Sequence, residues 1–123
     1  MELSRKLAQA NPAAYTSDWA MSLNNLASFQ SKTGDREGAL KTAREAVELR
    51  RKLAQANRAA YTPDLATSLC VFAMASASGD HLPDGIAAAK EAVALLEPFA
   101  EQSPTAFADL LQLATQLRDQ LLG

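Results

Sequence analysis

The sequence predicts an all-α fold, an α-solenoid of antiparallel helix pairs closed by a C-terminal capping helix. Three observations carry that expectation. The segment ELSRKLAQANPAAYTSDWAMSL (residues 2–23) returns as ELRRKLAQANRAAYTPDLATSL (48–69), 46 residues later and identical at 17 of 22 positions. A repeat of this length is one supersecondary unit that buries its apolar face by stacking on the next. Ala and Leu dominate the composition and aromatic residues make up only 6%, a balance that favours helix over strand. Apolar residues also recur at helical spacing between Gly-Asp and Asn/Pro breakers.

The units follow in order within a single domain spanning 1–123: a half helix over 1–11, a first repeat over 16–57, a second over 62–103 and a capping helix over 104–122. A chain of 123 residues is long enough to bury roughly two thirds of its unfolded surface. Residues 2–11 match 48–57, the end of a long helix, so the chain opens in mid-unit. That leaves an apolar edge around Leu3, Leu7 and Trp19 without its preceding helix.

After the Asn11-Pro12 breaker, Thr16 is the expected N-cap of a helix over about 17–33, with Asp18 in its first turn. Trp19, Leu23, Leu26, Ala27 and Gln30 form its inward stripe. Gly34 and Asp35 stop that helix and cap the next, over about 36–57. Its inward face is Ala39, Ala43, Ala46, Val47, Leu53 and Ala54, small enough to let two helices approach closely. Its outward face alternates charge at i, i+4. In the second copy Thr62 is the expected cap and Pro63 the first helical residue of a helix over about 63–78. A Gly79-Asp80 turn and a helix from about Pro83 come next, with a kink expected at Pro98. Leu110, Leu113, Ala114, Leu117 and Leu121 face inward from the last helix, which caps the open end of the stack.

Charge excludes some partners. The net charge is −2, hiding a balance of +4 over residues 1–58 and −6 over 59–123. A nucleic-acid-binding domain needs a concentrated basic stripe in a basic chain, and none is present. Arg50, Arg51 and Lys52 form a small basic cluster expected on the outer face of its helix, in ordinary surface pairing. No run approaches the ~20 apolar residues that span a bilayer. Cys70 is the sole cysteine, which rules out an internal disulfide and fits a reducing cytoplasm. An amino-terminal secretion pattern is not readable.

Residues 23–47, LNNLASFQSKTGDREGALKTAREAV, resemble a tetratricopeptide repeat. Ala27, the Gly34-Asp35 turn, Ala39, Ala43 and Ala46 fall where that family keeps small residues between paired helices. The LNNLA start and long second helix are similar to the extended repeats of the kinesin light chain and of bacterial multidomain proteins. The resemblance implies a right-handed solenoid whose first helices line a concave, partner-binding face. On that face it places Met21, Asn24, Ser28 and Ser31, with Lys32 at the rim, from the first copy, and Thr67, Cys70 and Met74 from the second. Departures from the family are Gln30 in an aromatic position, Cys70-Val71-Phe72 for Asn24-Asn25-Leu26, and Gly85 for Ala39.

The implied function is non-catalytic: binding of a peptide or helix, neutral or apolar because the stripe holds so little charge. Asn24 could hydrogen-bond a peptide backbone, and Met21 and Met74 offer an adaptable apolar floor. The alternative is an oligomerisation or spacer module of a larger protein, with self-association through the open N-terminal edge. Catalytic, metal and cofactor sites are not expected. One His and one Cys make no zinc set, and no phosphate-binding glycine loop or nucleophile constellation is readable. Trp19 is expected as a core anchor, Cys70 as a small buried residue and His81 as a solvated turn residue.

Overall fold

The computed structural model describes residues 12–77 and 79–123. Among them lie five α-helices and no strand: α1 (Pro12–Lys32), α2 (Arg36–Ala56), α3 (Arg58–Ala75), α4 (Leu82–Gln102) and α5 (Pro104–Leu122), with a short 3₁₀ turn at Gly79–His81 before α4. Each helix packs mainly on its neighbours in sequence, while α1 also touches α3, and α3 touches α5. The packing is all-helical and repeat-like. The half helix expected over 1–11, with Leu3 and Leu7, lies outside the described residues.

The first turn is built as its residues dictate. Gly34 takes φ +90°, a left-handed conformation open to glycine. Asp35 then caps α2, its Oδ1 accepting from the Gly38 N–H at 3.0 Å.

Two helix starts differ from expectation. Thr16 and Thr62 are not caps: α1 already begins at Pro12 and α3 at Arg58. Asn57 is the reason at the second join. Its N–H donates to the Leu53 carbonyl at 2.9 Å, ending α2, and its Oδ1 accepts from the Ala60 N–H at 3.2 Å, starting α3. One extended residue (φ −147°, ψ 92°) thus serves as both caps. Ser103, with φ −140° and ψ 74°, joins α4 to α5 in the same way through its backbone. Pro63 is therefore inside α3, and α4 runs on past Pro98 to Gln102. Each proline withholds one N–H from the carbonyl four residues back, a loss these long helices absorb.

Alanine decides how closely the helices pack. On α2, Ala39, Ala43, Ala46, Leu53 and Ala54 are buried as the spacing predicts, with Val47 half-buried and Leu40, Thr42 and Arg50 also inside. On α1 the buried row is Ala20, Asn24 and Ala27, rotated from the predicted stripe. Trp19 and Leu26 are instead half exposed, and Leu23 and Gln30 lie at the boundary. A close α1–α2 approach admits methyl groups and leaves no room for an indole. Trp19 therefore packs at the edge, its ring 6.2 Å from that of Tyr15. The main core gathers Ala54 of α2, Leu65, Leu69, Cys70 and Ala73 of α3, Ala89, Ala92 and Leu96 of α4, and Ala114 and Leu117 of α5. Leu110 and Leu121 border it, while Leu113 is exposed.

Candidate functional site

The eight residues assigned to one face divide when placed on the helices. Met21, Ser31, Lys32 and Met74 are exposed, and Ser28 and Thr67 are half-buried. Ser31 and Met74 come together around a cavity of about 200 Å³, with Gly34, Arg36, Ala75 and Ala77 completing its wall. Thr67 spends its hydroxyl within its own helix, donating to the Pro63 carbonyl at 3.1 Å.

Asn24 and Cys70 do not line an open face. They are register mates, 46 residues apart, and are 7% and 1% exposed. This position is a helix-packing position in both copies, not a groove position. Cys70 suits it as a small apolar group, and burial pushes its thiol up to about 11. Asn24 suits it less well, since its Oδ1 is buried without a hydrogen-bond partner.

Sequence reasoning missed a second crevice, on the side where α2 and α4 flank α3. Its volume is about 380 Å³, with Leu69 and Phe72 as floor and Arg44, Arg51, Asp84 and Glu91 among its walls. Arg44 lies 5.7 Å above the Phe72 ring, within cation–π range. Arg51 spans the crevice to grip Glu91 with two bonds, at 2.6 and 3.1 Å, tying α2 to α4. That bond keeps the Arg51 guanidinium more firmly protonated. The signal for it was in the repeat: Arg5 and Glu45 stand in the same two register positions.

Arg50 departs from the expected surface pairing. It is buried, donating to the Asp64 carbonyl at 3.1 Å and to Ser68 Oγ at 3.0 Å. Desolvation lowers its pKa, opposed by the charge of Asp64. Here an arginine is a cross-brace between α2 and α3. His81 closes the 3₁₀ turn, half-buried, with Nε2 3.7 Å from Glu37 Oε1.

Among the described residues no group of His, Cys, Asp or Glu is clustered to hold a metal ion. No helix among them is long and apolar enough to cross a membrane. Comparison with protein-family models, with curated proteins and with solved structures returns no match.

Proposed function

We propose that this chain is a non-catalytic protein-interaction module of tetratricopeptide type, a right-handed solenoid that takes a neutral, apolar peptide or helix on the face formed by α1 and α3. The exposure of Met21 and Met74 on those two helices supports the reading. Ser28, Ser31 and Thr67 on the same stripes are small and uncharged, and Lys32 is the one cation assigned to the face. Flexible thioethers on such a background suit a partner read by shape and apolar contact. The reading includes a protein partner in the cytoplasm and no cofactor, nucleic acid or membrane.

Displayed peptides selected on the full chain should then be neutral, with apolar residues at helical spacing. Met74→Glu and Met21→Glu should each weaken their capture about tenfold or more, since a charge placed against an apolar contact must be desolvated. Selected peptides that bind both variants as well as the parent chain would overturn the assignment.

A second reading, oligomerisation, is favoured by a separate observation: α1 carries Trp19, Leu26 and Phe29 exposed on a different stripe from Met21.

A further inference from the structure

In the second copy, the positions matching this α1 stripe are covered. Leu65 and Leu69 are buried and Phe72 packs against the core, and Ala75 is buried too. Their register mates are Trp19, Leu23, Leu26 and Phe29, of which Trp19, Leu26 and Phe29 are 48%, 44% and 63% exposed. Three large apolar side chains in one row on a single helix form a patch of the kind that marks a contact.

The order of residues along α1 identifies what fits there. Tyr15, Trp19, Ser22, Leu26 and Phe29 are spaced 4, 3, 4 and 3 apart, the alternation of a two-helix seam. Along one edge of that seam run Asp18, Asn25 and Lys32, seven residues apart. All three are exposed, and neither Asp18 nor Lys32 is in an ion pair with another described residue. Asp18 and Lys32 are the two charged residues of α1. When two copies of a helix pair antiparallel about a two-fold axis, residues of the same edge meet. An edge reading acid, amide, base is then complementary to itself: Asp18 faces Lys32 of the second copy, Asn25 faces Asn25, and Lys32 faces Asp18. The seam closes in the same register, with Trp19 against Phe29 and Ser22 against Leu26 of the other copy. A parallel pairing would set this edge against the opposite one, Thr16, Leu23 and Gln30, where neither charge meets a partner.

We propose that α1 is a self-association surface, and that its occupant is the α1 of a second copy, antiparallel and centred on Asn25. The proposal builds on the oligomerisation reading above and is distinct from the apolar groove at Met21 and Met74, sharing with it only Lys32 at the rim. Isologous two-fold contacts of this kind are self-complementary by construction. One helix from each copy gives a small contact, below the ~1,200 Å² of standard interfaces, so the dimer is a weak, concentration-dependent one.

The test uses the full chain. Trp19 is its single tryptophan, so emission should shift to the blue as concentration rises, in step with dimer mass by sedimentation equilibrium. Leu26→Asp should weaken association about tenfold or more, while Met74→Glu, on α3, leaves it unchanged; circular dichroism checks that each variant remains folded. Asp18→Lys and Lys32→Asp should each weaken self-association at low salt. Mixed together, these two variants should pair with one another more tightly than either pairs with itself, because every edge contact is then acid to base. A chain that stays monomeric at all concentrations overturns the proposal and leaves the stripe to another occupant. Mixed variants with no preference for each other overturn the antiparallel register. Loss of peptide capture in Met74→Glu with dimerisation intact separates the two surfaces.

Discussion

Asn24 and Cys70 occupy one repeat position and solve it differently. The Asn24 oxygen is buried with no partner, and leaving an acceptor in that state costs about 1–3 kcal/mol. Asn24→Cys, which copies the second unit into the first, should therefore stabilise the chain by about 1 kcal/mol. The check is a raised urea midpoint with an unchanged slope. Cys70 gives a pH prediction. Its thiol is pushed from 9.0 to about 11 in the folded state, so the unfolded chain ionises first. The stabilisation is complete below pH 9 and declines as pH rises towards 11. Native Cys70 should accordingly resist alkylation near neutral pH and react once the chain is unfolded; rapid labelling of folded protein would contradict this. The residue scale is also where sequence reading fell short. Helical spacing put Met21 and Met74 on a partner-binding face, where both are exposed, yet it treated the buried Asn24 as a groove residue too. Polarity suggested an exposed position, whereas the closeness of α1 to its neighbours made it an interior one.

The elements were more legible than their ends. The buried face of α2 and the Gly34-Asp35 turn come directly from small residues at fixed offsets and from the one backbone conformation that favours glycine. Helix starts were harder to read because Asn-Arg and Asn-Pro look like loops. Asn57 compresses that loop to a single residue. The inward face of α1 was misjudged for a related reason: the larger apolar residues were taken as the core, whereas a close helix pair selects methyl groups. Gly85 shows the same principle at its limit. A Cβ there would lie 2.9 Å from Ser76 Cβ and 3.2 Å from the Ser76 carbonyl oxygen. Gly85→Ala gains about 1 kcal/mol of helix propensity but forces α3 and α4 apart, and overpacking costs about 1–3 kcal/mol. A lower melting temperature is expected, although the register mate is Ala39, which is buried without difficulty. An unchanged or raised melting temperature would show that α4 shifts freely.

Across the whole molecule the core is unevenly distributed. The main cluster runs from α2 through α5 and contains no α1 residue, while α1 buries only Ala20, Asn24 and Ala27. Repeat arrays open locally, at their least supported end. Amide exchange should therefore be faster along α1 than in α3 and α4, and should slow in α1 at concentrations where two copies meet; equal protection throughout would argue for a single cooperative block. The one-residue joins at Asn57 and Ser103 carry a consequence for how such a chain can change. Each residue added to a helix rotates all the residues after it by about 100°. An insertion beside Asn57 would swing Cys70 and Ala73 away from the core and bring Asp64 and Thr67 into it. With no slack to absorb the turn, a small insertion or deletion at a join should cost the core its packing. Adding or removing a whole unit of 46 residues instead leaves every helix in the same rotational phase, so length in this architecture comes in steps of one unit.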